Sequence, residues 1–179
     1  MNKTYTIDIA GVEVSLPVLP LPSGVNICFF NLHGNQALTE HCGKHLAPFL
    51  KGCDVLLTAE TKGLQLTHVI ARELGMPYYA VARKQQKLYM QDGIHIKYGA
   101  SITTGKEQEF YLSANDVELL KGKNVGIVDD VLSTGESLSG LEKVVVEAGG
   151  KIFKKAFVLA EGEAKERKDV IFLQSIPLL

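Results

Sequence analysis

The residues best suited to chemistry lie in one short segment, residues 125–137, which runs Val-Gly-Ile-Val-Asp-Asp-Val-Leu-Ser-Thr-Gly-Glu-Ser. Its apolar start at 125–128 predicts a buried strand, and Asp129 and Asp130 follow directly. In an open α/β sheet, ligands bind beyond the carboxyl ends of the strands, which is where this acidic pair falls. Ionised carboxylates only accept hydrogen bonds, so the acidic pair favours a ligand that carries hydroxyl donors.

The turn after the acidic pair predicts a phosphate site. Ser133, Thr134 and Gly135 lead into a helix, in which Ser137 adds a further hydroxyl. The free N–H groups and the positive dipole end of a helix start bind anions. A phosphate beside two carboxylates is repelled unless the carboxylates bind neutral hydroxyls of the same molecule. A phosphate and a vicinal diol on one small molecule describe ribose 5-phosphate.

Each of these residues also has an ordinary structural interpretation, since Asp forms turns and Ser or Thr caps helices. For any one residue alone that interpretation is the better one, whereas the whole array after an apolar strand favours a ligand. A receiver-domain acidic pair is a poorer match, because its acidic cluster belongs partly near the start of the chain and Asp130 lies in the last third.

The elements around this segment alternate between strand and helix, which predicts an α/β fold: a single domain over residues 1–179 with a mostly parallel central sheet flanked by helices. We expect strands at 55–57, 78–82, 125–128, 152–159 and 170–173, a helix at 64–74, and a helix after Gly135 that ends before Gly149. Before them we expect a hairpin at 5–16 that is ended by residues 17–22, and a helix from Glu40 towards Leu50 that Thr39 caps.

The apolar pattern collapses at Arg83, and residues 83–108 contain a Ser-Thr-Gly-rich stretch with only short strand-like pieces. A loop of this length inside a compact domain is typically a lid or a binding loop. We therefore predict a flexible lid over 83–108.

Composition excludes several classes of function. With 19 Lys and Arg against 20 Asp and Glu, the net charge of −1 argues against a dedicated nucleic-acid binder. No segment has the apolar length of a membrane span or signal peptide, and the 3 Cys are spaced for neither zinc nor a disulfide framework, so we expect a cytoplasmic protein with buried thiols. His41 and His45 lack a third ligand, and we expect no metal ligated by protein side chains alone.

Segment 125–137 resembles the phosphoribosyl-pyrophosphate signature of the type I phosphoribosyltransferases: an apolar strand, two acidic residues and a Thr-Gly phosphate loop. The resemblance extends from about Asp54 to Leu159. Residues 59–63 (Ala-Glu-Thr-Lys-Gly) stand where the family has its pyrophosphate loop, and 83–88 (Arg-Lys-Gln-Gln-Lys-Leu) where adenine-type members have a basic run that ends in Lys-Leu. The adenine and xanthine enzymes look nearest.

The resemblance implies a role for each part of this array. Asp129 and Asp130 would hold the ribose hydroxyls, and a non-proline cis peptide is expected at or next to Glu60–Thr61. Residues 1–35 would form a hood over the base, in which Phe30 could stack on a purine. The 5-phosphate would be bound by Ser133, Thr134, Gly135, Glu136 (through its backbone N–H, with the carboxylate turned away) and Ser137, and pyrophosphate with magnesium by Glu60, Thr61, Lys62, Arg83, Lys84 and Lys87.

The implied activity is transfer of the phosphoribosyl group from phosphoribosyl pyrophosphate to a purine, adenine more than xanthine, by a homodimer whose lid excludes water. Lys97 stands where adenine-type relatives have a proton-handling Glu, and we take it as a catalytic candidate beside the acidic pair; His95 is an alternative acid/base group. Two departures from the adenine-type pattern, Lys97 and the absence of charged residues after Phe30, favour an alternative function. In this alternative the chain is a regulatory protein that binds ribose phosphate without transferring it. A pyrimidine transferase of the orotate type is a third possibility.

Overall fold

The computed structural model describes residues 3–100 and 107–179, without the side chain of Ala100. The strands are β1 (Thr4–Ile9), β2 (Val12–Pro20), β3 (Asn26–Cys28), β4 (Val55–Ala59), β5 (Ala80–Ala82), β6 (Ile94–Ala100), β7 (Glu107–Leu112), β8 (Asn124–Leu132), β9 (Lys151–Glu161) and β10 (Ile171–Ile176). The helices are α1 (Gln36–Leu46), α2 (Leu64–Glu73), α3 (Ala114–Leu120) and α4 (Glu136–Glu147), with short 3-10 turns at Ala47–Leu50, Leu88–Met90 and Gly162–Glu166.

The central sheet has five strands in the order β10-β9-β8-β4-β5, and every neighbouring pair is parallel. The predicted α/β architecture is therefore confirmed. Strand β4 pairs with β5 on one side and with β8 on the other, so the strand order reverses there. In open parallel sheets the crevice for ligands lies at this switch point, beyond the carboxyl ends of the strands.

Helices cover both faces of the sheet because its strands are apolar on both sides; all five residues of β4 are buried. One face packs against α1, α2 and the N-terminal strands, through Leu56 and Val128 of the sheet. The other packs against α4 and the β6–β7 hairpin, through Leu57 and Ile127. Cys28, Cys42 and Cys53 are free and buried, as expected. Among the described residues, no helix combines the length and the apolar character that crossing a bilayer requires.

The N-terminal hairpin is confirmed, with its turn at Ala10 and Gly11, but it is longer than predicted. Strand β2 continues to Pro20, because Pro17 pairs with Thr4 and its carbonyl still accepts a hydrogen bond from Phe29. Strand β3 adds a third strand to this sheet. The C-terminal residue Leu179 exchanges two backbone hydrogen bonds with Asn26, which ties the end of the chain to the hood.

Two helices differ from the sequence-based expectation. Helix α1 begins at Gln36, because the Asn35 side chain caps it by accepting from the Leu38 N–H; Thr39 lies inside the helix and donates to the Asn35 carbonyl. Helix α3 was not predicted, although Ser113 followed by Asp116 is a capping pattern.

Part of the segment predicted as a lid is a strand rather than a loop. Strands β6 and β7 form an antiparallel hairpin that packs on α4, and the rings of Tyr98 and Phe110 stack with their centroids 4.4 Å apart. Gly140 of α4 permits this contact, since a β-carbon there would lie 2.6 Å from the Tyr98 ring. The Ser-Thr-Gly-rich residues 101–106 lie outside the described residues, so a lid there stays a prediction.

Candidate functional site

The switch point of the sheet brings two of the predicted site segments together. The acidic pair, Asp129 and Asp130, lies near the carboxyl end of β8, and the loop 60–63 follows β4. Lys62 Nζ lies 3.9 Å from Asp130 Oδ2. Two segments that are distant in sequence therefore meet at the switch point.

The acidic pair is held by its own backbone and is only partly compensated. Asp129 Oδ1 accepts from the N–H of Asp130, and Asp130 Oδ1 accepts from the N–H of Val131, both at 2.9 Å. Asp130 is 5% exposed, and its buried Oδ2 has no hydrogen-bond donor among the described residues. A buried acceptor without a donor costs ~1–3 kcal/mol, so a ligand hydroxyl that donates to it would be stabilised.

The pKa values of both carboxyl groups are raised. Burial is the main cause for each, because it disfavours the charged form; for Asp129 the neighbouring charge of Asp130 adds to it. Lys62 opposes the shift in the pKa of Asp130, and Lys84 opposes it for Asp129. Two nearby cations therefore favour the ionised pair that a diol needs.

The loop after β4 approaches the acidic pair so closely that only glycine fits. A β-carbon on Gly63 would lie 2.2 Å from Thr58 Oγ1 and 2.9 Å from Asp129 Oδ1. The peptide bond between Glu60 and Thr61 is cis, at the position that the family resemblance implies. Lys62 also lies over the ring of Phe29, with Nζ 5.1 Å from the centroid.

Glu60 joins the loops that follow β4 and β5. Its carboxylate accepts from Arg83 Nε and, at 2.7 Å, from the backbone N–H of Lys84. Arg83 Nη1 also donates to Tyr89 Oη at 3.0 Å. The charge of Arg83 is thus compensated within the protein, and the Glu60 side chain positions the basic residues. Lys87 lines a surface groove with residues 86, 88 and 91.

The turn Ser133–Gly135, called the phosphate turn below, leads into α4. Gly135 has φ +85°, which favours glycine, and it brings no side chain to cap the helix. The first N–H groups of α4 are therefore suited to an anion. Glu136 turns its carboxylate towards Gly99 of β6: a β-carbon on Gly99 would lie 3.1 Å from Oε2.

Two predicted residues lie elsewhere than the predicted roles suggest. Phe30 is 3% exposed and belongs to the core, whereas its half-buried neighbour Phe29 is the ring that lies beside Lys62. Lys97 is exposed and pairs with Glu107 at 2.8 Å, on the strand face opposite Tyr98. A catalytic role of Lys97 stays a prediction.

Sequence reasoning missed two residues beside the phosphate turn, Glu161 and Tyr98. Ser133 Oγ donates to Glu161 Oε2 at 2.6 Å, which is possible because β9 ends next to β8. Burial raises the pKa of Tyr98 to about 12, against the opposing effect of the Ser137 side chain, so the phenol stays neutral. The alternation of Ile94, Ile96 and Tyr98 was the available signal for Tyr98. In the described part of the chain, no group of three His, Cys, Asp or Glu side chains is placed to hold a metal ion.

Comparison with known proteins assigns this arrangement to a family. The sequence model of the phosphoribosyl transferase domain matches residues 32–177. A hypoxanthine/guanine phosphoribosyltransferase of Methanococcus voltae is 34% identical over 114 residues, which cover 64% of this chain and 56% of that protein. A xanthine phosphoribosyltransferase of Bacillus cereus (strain AH187) is 30% identical over 83% of this chain and 77% of its own length.

Solved structures agree on the fold. The adenine phosphoribosyltransferase of Thermoanaerobacter pseudethanolicus superposes with a TM-score of 0.73 at 22% identity, over 90% of this chain and 95% of that one. The Giardia lamblia enzyme in complex with 9-deazaadenine gives a TM-score of 0.72 at 18% identity, over 90% and 93% of the two chains. The family resemblance in segment 125–137 is thereby confirmed: the chain belongs to the phosphoribosyl transferase domain family.

Proposed function

We propose that the protein is a purine phosphoribosyltransferase, which transfers the 5-phosphoribosyl group of phosphoribosyl pyrophosphate to a purine ring nitrogen. The observation that carries this proposal is the buried Oδ2 of Asp130 at the switch point, which has no hydrogen-bond donor among the described residues and lies 3.9 Å from Lys62 Nζ. The residues that follow β8 and β4 thus offer an acceptor for a sugar hydroxyl, a helix start after Gly135 for a phosphate and a cation for pyrophosphate.

Each part of the crevice has a task in the reaction. The acidic pair accepts hydrogen bonds from the ribose hydroxyls, and the phosphate turn binds the 5-phosphate. The bond between the anomeric carbon and pyrophosphate breaks, its electron pair leaves with pyrophosphate, and a bond to the purine nitrogen forms. The proton that this nitrogen carried is released to water or to the departing pyrophosphate. The fixed carboxylates lie close to the positive charge that develops on the sugar. Mg²⁺ would arrive as part of the substrate, on the pyrophosphate oxygens that it prefers as ligands.

For the base, we propose adenine first and xanthine second. The basic run 83–88 supports adenine, and the adenine enzymes share the fold. Relatives named for xanthine and for hypoxanthine/guanine support an oxidised purine. By similarity to the family we also propose a homodimer.

The test is an assay of the protein with phosphoribosyl pyrophosphate, Mg²⁺ and adenine, xanthine, hypoxanthine or guanine, each in a separate reaction. We expect one purine to give its nucleoside monophosphate with stoichiometric pyrophosphate. The variant with Asp129→Asn and Asp130→Asn should be folded and inactive, while Glu118→Gln, at an exposed position of α3, is the control that also removes a carboxylate. Absence of monophosphate with all four bases would refute the proposal.

A regulatory protein that binds ribose phosphate without transfer is the second candidate. It is favoured by Lys97, whose charge is taken up by Glu107 and Glu109 where adenine-type relatives have a Glu. Calorimetric binding of phosphoribosyl pyrophosphate, with no turnover on any purine, would support this candidate, whereas steady product release would exclude it.

A further inference from the structure

A cavity of about 400 Å³ opens beside the phosphate turn, on the side of the turn that faces the chain between β9 and β10. Ser133 and Thr134 line it from the turn, and two carboxylates, Glu161 and Glu163, line it together with Arg167 from the opposite wall. Arg167 is the cationic side chain in this lining, and neither the sequence motifs nor the proposed mechanism uses it.

The guanidinium of Arg167 is fixed in orientation. Nε donates to Asp169 Oδ1 at 2.9 Å and Nη2 donates to Asp169 Oδ2 at 2.6 Å, a bidentate pair that holds the planar group. The third nitrogen, Nη1, lies 3.2 Å from the position that a β-carbon on Gly135 would take. The two N–H groups of Nη1 are therefore next to the backbone of the phosphate turn.

Charge balance at the turn calls for a cation. Glu161 places a carboxylate on Ser133, and a phosphate monoester at neutral pH carries nearly two negative charges. Without compensation the two would repel each other. Arg167 belongs to a network in which Asp169 also pairs with Lys155 and Lys155 pairs in turn with Glu142, so that two cations face two carboxylates. Arg167 and Lys155 together hold the pKa of Asp169 well below its usual range.

We propose that Arg167 is a binding residue for the 5-phosphate of the substrate, through Nη1, and that Asp169 positions it. The proposal rests on the proposed function, since it assigns a second partner to the same phosphate. A guanidinium suits this task because two of its nitrogens can be held by a carboxylate while the third remains for a phosphate oxygen. The glycine at position 135 leaves room for that approach.

The test compares two ligands by calorimetry: ribose 5-phosphate, which needs the phosphate turn, and magnesium pyrophosphate, which needs the loops after β4 and β5. We expect Arg167→Gln to weaken ribose 5-phosphate about 10- to 100-fold, as for loss of a charged hydrogen bond, and to change pyrophosphate less than about twofold. Lys168→Gln, at the exposed neighbour, should leave both affinities unchanged.

Two further variants separate binding from a structural role. Asp169→Asn breaks the same ion pair but keeps the cation, so it should retain most of the affinity for ribose 5-phosphate. Arg167→Lys keeps the charge without the fork, and it should bind this ligand more weakly than the wild type and more tightly than Arg167→Gln.

The outcomes distinguish this proposal from the proposed function. Equal binding of ribose 5-phosphate by wild type and Arg167→Gln, or equal losses in Arg167→Gln and Asp169→Asn, would overturn the role of Arg167 alone. A wild-type protein that bound ribose 5-phosphate no better than ribose would overturn the proposed function together with this one.

Discussion

Replacement of Gly63 by alanine tests whether the loop after β4 and the acidic pair form one rigid unit. The new β-carbon would lie 2.2 Å from Thr58 Oγ1, 2.9 Å from Asp129 Oδ1 and 3.3 Å from Asp129 Cα. Carbon and oxygen atoms that are not bonded pack at about 3.5 Å. Either the loop or the side chain of Asp129 must therefore move by roughly 1 Å.

The size of the effect follows from these contacts. Overpacking of this kind costs ~1–3 kcal/mol, which in a chain of this length lowers the melting temperature by about 2–12 °C. A displacement of about 1 Å at a catalytic group can reduce the rate by ~100-fold. We expect Gly63→Ala to lose at least about tenfold in affinity for ribose 5-phosphate.

The assay is thermal unfolding and calorimetry on Gly63→Ala, Thr58→Ala and the double variant. Thr58→Ala removes the atom of the shortest contact. The free energy of unfolding of the double variant should therefore be higher, by at least ~0.5 kcal/mol, than the value expected from adding the effects of the two single changes. Wild-type stability and affinity in Gly63→Ala, or strictly additive effects in the double variant, would refute this account of the loop.

Three further predictions concern the same crevice. Glu60→Gln should lower the free energy of unfolding by ~1–3 kcal/mol in urea titrations, because Arg83 loses its partly buried partner; an unchanged midpoint would contradict this. Tyr98→Phe should weaken ribose 5-phosphate about two- to tenfold through loss of the hydroxyl that acts on Ser137, at nearly constant melting temperature. Because the pKa values of Asp129 and Asp130 are raised in the folded state, the folded protein binds protons more readily than the unfolded chain. The contribution of the acidic pair to stability should therefore fall as pH rises from about 4 towards neutrality, so the melting temperature of the ligand-free wild type should decrease over this range relative to that of the variant with both residues changed to Asn.

The parallel sheet and the position of the acidic pair could be predicted from the sequence because both depend on contiguous residues. An apolar run such as 55–57 is buried on both faces wherever it packs, and the carboxyl ends of parallel strands meet at one edge. The turn at Gly135, which has a positive φ, also depends on contiguous residues, since a sharp turn before a helix favours glycine. These features would survive large changes elsewhere in the chain.

The contacts among the site residues were decided by register between strands that are far apart in sequence. Glu60 reaches Arg83 because β4 pairs with β5, and Glu161 reaches Ser133 because β9 ends beside β8. No local pattern contains that information.

The choice between adjacent residues also needed the tertiary structure. Residues 29 and 30 are both Phe, and only the packing of β3 sets which ring is core and which lies beside Lys62. In β6, pairing with β7 places Lys97 outward and Tyr98 against α4. The sequence by itself determined the sheet, the acidic pair and the phosphate turn, because each follows from neighbouring residues. Which side chains complete the site was decided by tertiary structure, because successive residues of a strand face opposite sides and their partners come from other strands.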